Sequence, residues 1–283
     1  MMRIFVFTIF SLLLMANTFA QKDFNLKNSG PLSIGETLEL ESKILGEDRV
    51  LNIYLPHGYS KDSAKVYPVI YLLDGSIDED FLHIAGLVQF GSFSWINMIP
   101  ESIVVGIANV DRKRDFTSPT KIKDLLKEFP TTGGSANFIQ FIAKEVQPLI
   151  EKNYKVDNVK TLIGQSLGGL LGTEILFTQP DLFDNYMIIS PSLWWDNNTL
   201  LKSTPTPYPS KKSIYIAVGK EGKVMEKDAK KLHEKLTSSK NGNTTLFFEF
   251  FETQSHGDVL HLAAYKGFER VFGSVPSQRA IDP

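Results

Sequence analysis

Five short stretches of this chain, residues 67–73, 102–107, 160–163, 186–189 and 214–218, are apolar with almost no polar alternation. A strand with one wetted face alternates in polarity, whereas a strand covered on both faces does not. The stretches are too short for ordinary helices and rich in β-branched and aromatic residues, so they predict the buried strands of a parallel sheet. Helical patterns lie between them. Residues 137–154 carry Phe138, Phe141, Ile142, Val146, Leu149 and Ile150 at helical spacing, and residues 224–236 turn Ala229 and Leu232 inward with charges outward. Strands alternating with helices require right-handed crossovers, so the fold class expected is a three-layer α/β sandwich around a mostly parallel central sheet. Ahead of the sheet, residues 37–45 alternate in part, Gly46-Glu47-Asp48-Arg49 reads as a turn, and residues 50–55 alternate again. This predicts an N-terminal antiparallel hairpin. Residues 21–31 are a polar lead-in. No internal repeat or low-complexity linker divides the rest, so residues 21–283 read as one domain. The longest weakly structured stretch is 117–135, with Pro119, Pro130, Gly133 and Gly134; it reads either as a lid or as a surface loop with one short helix.

Composition narrows the chemistry. The chain has 30 Lys plus Arg against 32 Asp plus Glu, a net charge of −2, so no basic field exists to hold a nucleic-acid backbone. It has no cysteine, which excludes disulfides, thiolate metal sites, iron–sulfur ligation and a cysteine nucleophile. Arg3 precedes a twelve-residue apolar run, residues 4–15, and Thr18-Phe19-Ala20 places small residues where a signal peptidase reads. Twelve residues cannot span a hydrocarbon core of ~30 Å. Residues 1–20 are therefore expected to be a cleaved signal peptide, with the mature chain beginning at Gln21, periplasmic or secreted and without stable membrane insertion.

The sharpest chemical signal is Gly164-Gln165-Ser166-Leu167-Gly168-Gly169, which follows the apolar run ending at Ile163 and precedes the helix-compatible residues 170–177. Strand, sharp turn, helix is the setting of a G-x-S-x-G nucleophile elbow. In that turn the serine takes a strained conformation, and side chains at Gly164 and Gly168 are expected to collide with backbone. The helix end behind Ser166 puts the Leu167 N–H where an oxyanion develops. A serine needs a base later in the chain. His256, in Gln254-Ser255-His256-Gly257-Asp258 after the last strand pattern, fits; His57 and His83 come too early, His233 sits on a charged helix, and His261 reads as structural. For the acid, Glu221 follows the penultimate strand. Glu226, Asp228 and Asp196 stand as alternatives, as does a Ser–His pair without an acid. The loop after the first buried strand, Leu72-Leu73-Asp74-Gly75-Ser76, offers the Gly75 and Ser76 amides as further oxyanion donors, against a plain turn. Asp111-Arg112-Lys113-Arg114-Asp115 reads either as solvated surface or as arginines, Arg112 or Arg114, that meet an anionic part of a substrate. Trp194 and Trp195 read either as a stacking platform beside the nucleophile or as core or lid packing. No metal or cofactor is called for.

These residues together resemble a known family, the esterase family of α/β-hydrolases that includes enterochelin esterases, S-formylglutathione hydrolases, feruloyl and acetylxylan esterases and mycolyltransferases. The resemblance spans nearly the whole mature chain. It rests on residues 42–49, Tyr54-Leu55-Pro56-His57-Gly58-Tyr59, residues 67–75, and Gly106-Ile107-Ala108-Asn109 with Asp111-Arg112 and Arg114-Asp115. It continues through residues 164–169, Ser190-Pro191-Ser192-Leu193-Trp194-Trp195 and Ser255-His256-Gly257. It is nearest to the periplasmic trilactone-siderophore branch. The resemblance implies an α/β-hydrolase fold and a small-molecule ester substrate; members of that branch can work with a Ser–His dyad, so it leaves the role of Glu221 open. The rival expectations are a carbohydrate esterase acting on feruloyl or acetyl groups, and a binding module that keeps the fold without catalysis.

Overall fold

In the computed structural model, which describes residues 27–273, every one of the five apolar stretches is a strand. The signal peptide expected over residues 1–20 lies outside the described residues. Residues 27–33 contain no helix or strand, and the chain from Ile34 onward is one compact unit. Within the described residues the strands are β1 (Gly35–Ser42), β2 (Glu47–Tyr54), β3 (Tyr67–Leu72), β4 (Ile103–Ile107), β5 (Val156–Gln165), β6 (Asn185–Ile189), β7 (Lys212–Gly219) and β8 (Thr244–Phe251). They form an eight-stranded sheet in the order β1-β2-β4-β3-β5-β6-β7-β8. The expected hairpin pairs β1 with β2, and β2 meets β4 antiparallel. From β4 to β8 all neighbours are parallel. This is the α/β-hydrolase arrangement that the resemblance implies.

The missing alternation has the expected cause. Along β3, Val69 and Tyr71 enter one apolar cluster while Ile70 and Leu72 enter another; along β7, Ile214, Ile216 and Val218 part in the same way from Tyr215 and Ala217. Each strand therefore supplies both cores. One face is covered by α1 (Phe81–Gly91) and α9 (Val259–Phe272). The other is covered by α4 (Ser135–Phe141), α5 (Gln147–Asn153), α6 (Leu167–Thr178) and α8 (Lys223–Ser239). Shorter helices α2 (Arg112–Asp115), α3 (Lys123–Glu128) and α7 (Trp195–Lys202) lie in the connections. α6 is apolar all round, and accordingly almost entirely buried.

The helix expected over 137–154 is present but not uniform: a π turn, Ile142–Val146, separates α4 from α5. Pro148 has no N–H for the carbonyl of Lys144, so the regular ladder fails there and the extra residue is accommodated. The turn is used, because it carries Glu145, whose carboxylate accepts from Ser42 Oγ and from the amides of Lys43 and Ile44 in the hairpin turn.

The charged run at 111–115 is not solvated surface. Asp115 and Arg49 are both fully buried and paired at 2.7 Å. Arg49 also reaches Glu47 at 2.8 Å and the Ala108 carbonyl at 3.1 Å, with its guanidinium over the Phe138 and Phe141 rings. Arg114 bridges Asp115 and Glu47, so it is committed inside the protein and not to a substrate. Removing one member would strand a buried charge, at a cost of about 3–5 kcal/mol. The 117–135 stretch is a loop with one short helix, α3. It is stitched down by the Gly133 and Ser135 amides to the Thr117 carbonyl and by Trp195 Nε1 to the Ser118 carbonyl.

The strand order reverses at β3: the chain passes to β4 on one side and later to β5 on the other. Such a reversal opens a crevice at the carboxyl ends of the strands. The loops after β3, β5, β6, β7 and β8 all end on that edge.

Candidate active site

Ser166 stands alone between the end of β5 and the first residue of α6, at φ 60° and ψ −118°. A left-handed serine is strained and persists only where its surroundings over-determine it. Here its N–H is held by the Ile189 carbonyl at 3.0 Å, and its own carbonyl accepts from the amides of Leu170 and Ser192. The crowding differs from expectation at one glycine. A Cβ on Gly164 would lie 2.5 Å from the Gly168 carbonyl oxygen and one on Gly169 2.9 Å from that of Ile189, but one on Gly168 would meet nothing closer than 3.4 Å. The close approach thus falls on Gly164 and Gly169. Leu167 is the first helical residue, so its N–H has no intrahelical acceptor and is presented with the positive end of α6.

His256 lies in the loop between β8 and α9, with its side chain 46% exposed. Its Nδ1 is 2.5 Å from Oε2 of Glu221, which is only 1% exposed. The other Glu221 oxygen, Oε1, accepts from Ser190 Oγ at 2.5 Å and from the Gly219 amide at 2.8 Å. Burial pushes the Glu221 carboxyl up, but the hydrogen bonds from His256, Ser190 and Gly219 more than offset it and hold it below the usual carboxylate value. The competing acids have other partners. Glu226 accepts from the amides of Glu221 and Gly222, Asp228 accepts from Asn198, and Asp196 accepts from Thr120 and Thr199. Among the remaining histidines, His233 is half-buried against Phe248, where burial lowers its pKa. His261 Nδ1 meets His83 Nε2 at 3.2 Å between α9 and α1, a structural contact.

Ser166 Oγ and His256 do not hydrogen-bond in this conformation; Ser166 Oγ lies 3.3 Å from Ser192 Oγ instead. Their loops are nevertheless tied, because Gln165 Nε2 donates to the His256 carbonyl at 2.7 Å and the Lys220 amide donates to the Gln254 carbonyl at 2.6 Å.

The loop after β3 corrects two expectations. Gly75 cannot serve as an oxyanion donor, because its N–H already binds the Ile107 carbonyl at 3.0 Å, while its carbonyl accepts from Asn52. The Ser76 N–H makes no hydrogen bond among the described residues and is the free donor of the pair. Arg112 is likewise engaged. Its Nε and an Nη grip the two oxygens of Asp74 at 2.6 and 2.9 Å, a bidentate pair that Asn109 Nδ2 joins at 2.7 Å. Asp74 has a left-handed backbone, φ 56°, so Arg112 holds a strained turn and does not present that edge of its fork to a substrate. Asp80, nearby, is pushed up to about 6 by burial and by the charges of Asp74 and Glu79.

Trp195 is not a platform. It is 2% exposed, packed edge-on against Phe129, with its Nε1 spent on Ser118. Trp194 is half-buried against the core, beside Phe129. Among the described residues no group of three or more His, Asp or Glu side chains is placed to hold a metal ion. The residues that sequence reasoning misses are the supporting ones: Ser190, Ser192, Asn109 and the Asp74 carboxylate. Their signals are position near the carboxyl end of an apolar strand and membership of the motifs that carry the resemblance, neither of which states a role.

Comparison with known proteins shows the family and the fold. The model of the family described as "Putative esterase" matches residues 42–258. The ferri-bacillibactin esterase BesA of Bacillus subtilis is 32% identical over 238 residues, covering 76% of this chain and 82% of that protein. An IroE-like serine hydrolase from Shewanella oneidensis superposes with a TM-score of 0.75 at 30% identity, over 84% of this chain and 80% of the other. The BES protein from Bacillus cereus superposes with a TM-score of 0.74, also at 30% identity, over 87% and 97%.

Proposed function

The chain belongs to the family described as putative esterases, and within that family of carboxylic ester hydrolases we propose that it is an exported serine esterase acting on siderophore-type ester bonds. The observation that carries the reading is one constellation. A strained Ser166 at a helix N-terminus stands in a site where His256 is bonded to a buried, charged Glu221, and two N–H groups, of Leu167 and Ser76, have no partner among the described residues. In this reading Ser166 Oγ turns from Ser192 toward His256 as substrate enters; catalytic hydrogen bonds are often long in the free enzyme and tighten in the complex. Oγ attacks the ester carbonyl while His256 Nε2 takes its proton. The oxyanion is met by the Leu167 and Ser76 amides. His256 then protonates the departing alkoxide, and water, activated by the same imidazole, releases the acyl group from Ser166. Glu221 stays ionised throughout and stabilises the imidazolium.

The substrate class is drawn from relatives whose names state it, BesA as a ferri-bacillibactin esterase and an Aspergillus fumigatus protein, 28% identical over 192 residues, as a siderophore triacetylfusarinine C esterase. Export follows from the leader pattern at residues 1–20. Four measurements test the reading. A fluorophosphonate probe should label Ser166, and Ser166→Ala should lower hydrolysis of a catecholate trilactone at least ~10³-fold with the fold intact; a variant that keeps more than about a tenth of the activity would refute the serine mechanism. Faster turnover of feruloyl or acetyl sugar esters than of the trilactone would refute the substrate class. N-terminal sequencing of native protein should begin near Gln21, and a chain beginning at Met1 would refute export.

A further inference from the structure

We propose that Ser190 is a positioning residue that fixes the plane of the Glu221 carboxylate so that one of its oxygens faces His256. The proposal rests on the Ser166–His256–Glu221 reading. A glutamate's terminal torsion is broad and roughly two-fold, so a buried carboxylate needs partners to choose its orientation. Glu221 has them on one oxygen only: Oε1 takes Ser190 Oγ at 2.5 Å and the Gly219 amide at 2.8 Å, leaving Oε2 for the imidazole at 2.5 Å. A hydroxyl that donates to a carboxylate makes a charge-assisted hydrogen bond, the strong kind. Ser190 is 0% exposed, so water does not compete for its hydroxyl proton.

The backbone shows that this placement is constrained. Ser190 directly follows β6 with φ 43°, although it precedes Pro191, a position normally driven to extended backbone. Its N–H is pinned to the Ala217 carbonyl of β7 at 2.7 Å. Two residues on, the Ser192 amide binds the Ser166 carbonyl at 3.0 Å and Ser192 Oγ lies 3.3 Å from Ser166 Oγ. One short turn, 190–192, therefore touches the acid with its first residue and the nucleophile with its last. Strain of this kind is maintained where the surroundings over-determine it, and it clusters at working sites.

A double-mutant cycle tests the role. Ser190→Gly removes the hydroxyl while suiting the left-handed backbone, and Ser190→Ala removes it while keeping Cβ. Both should lower kcat about ten- to hundred-fold, the worth of one hydrogen bond to a charged group, with KM changed less than about twofold. In the Glu221→Gln background the same substitutions should cost less than about twofold, because the carboxylate they orient is gone. Equal losses in both backgrounds would mean that Ser190 serves the fold alone, and the proposal would fall. It would fall equally if Ser190→Gly and Ser190→Ala keep wild-type kcat while Glu221→Gln is impaired, an outcome that leaves the triad reading standing. Full activity in Glu221→Gln would instead overturn the triad reading, and the positioning role with it.

Discussion

Replacing Glu221 with glutamine should damage the site more than deleting the side chain, and the hydrogen bonds say why. Oε1 of Glu221 accepts from two donors, Ser190 Oγ and the Gly219 N–H. Ser190 can turn its hydroxyl round, but an amide N–H can only donate. In Glu221→Gln the side-chain carbonyl is therefore held at the Oε1 position, and the NH₂ group is presented to His256 Nδ1, 2.5 Å away in the parent. Nδ1 must then accept, so the imidazole proton moves to Nε2, the nitrogen that has to receive the Ser166 proton. This wrong tautomer costs about 10⁴-fold in turnover where it has been imposed on a triad, or ~5.5 kcal/mol of transition-state stabilisation. Glu221→Ala leaves Nδ1 free to find water, since the His256 ring is nearly half exposed; the correct tautomer is again accessible and the loss should be at least ~10-fold smaller. The assay is kcat/KM for both variants on one activated ester at pH 7.5, with thermal unfolding to confirm folding. Alanine proving worse than glutamine would refute the tautomer argument, and both variants retaining more than about a tenth of wild-type activity would refute it and favour a Ser166–His256 dyad.

Two further predictions use the loop after β3. Arg112→Lys loses the bidentate grip on Asp74 and loosens the turn that presents the Ser76 N–H; kcat should fall about 10–100-fold with KM nearly unchanged, whereas a rise in KM at constant kcat would return Arg112 to substrate binding. Asp80→Asn should stabilise the protein at pH 7.5. The Asp80 pKa is raised from 3.8 to about 6, so between those values the folded state binds more protons than the unfolded one, and stability falls as pH rises through that window. The penalty is complete above about pH 6; two units at 1.36 kcal/mol each, discounted for partial exposure, leave ~1–2 kcal/mol to recover. The Asp80 side chain makes no capping bond that asparagine would forfeit. Tm should rise by ~2–6 °C at pH 7.5 and not at pH 4, and an equal gain at both values would refute the charge argument.

What a single sequence discloses here follows from the range of the forces that leave marks in it. Burial on both faces is a local property of a strand, so the absence of alternation in residues 67–73 or 214–218 is visible without knowing any partner. The elbow is local too, since strand, glycines, serine and helix are contiguous. The pairing of Glu221 with His256 is accessible too, because Glu221 sits within two residues of a strand end, where its loop reaches the neighbouring histidine loop. Side-chain commitments across 30 to 70 residues are not local. Nothing in Asp111-Arg112-Lys113-Arg114-Asp115 distinguishes a solvated run from one whose last carboxylate is buried against Arg49, 66 residues earlier. The same holds for Gly75: its amide is equally plausible as an oxyanion donor until β4 places the Ile107 carbonyl 3.0 Å away. Trp195 hides for a third reason, since an indole after a strand end suits either a wet platform or a dry wedge, and the choice depends on where the 117–135 stretch comes to rest. The errors therefore share a direction. Polar and aromatic groups near the site read as ligand contacts although the protein itself uses them, and the Leu167 and Ser76 amides, unengaged among the described residues, are the ones the proposed chemistry needs.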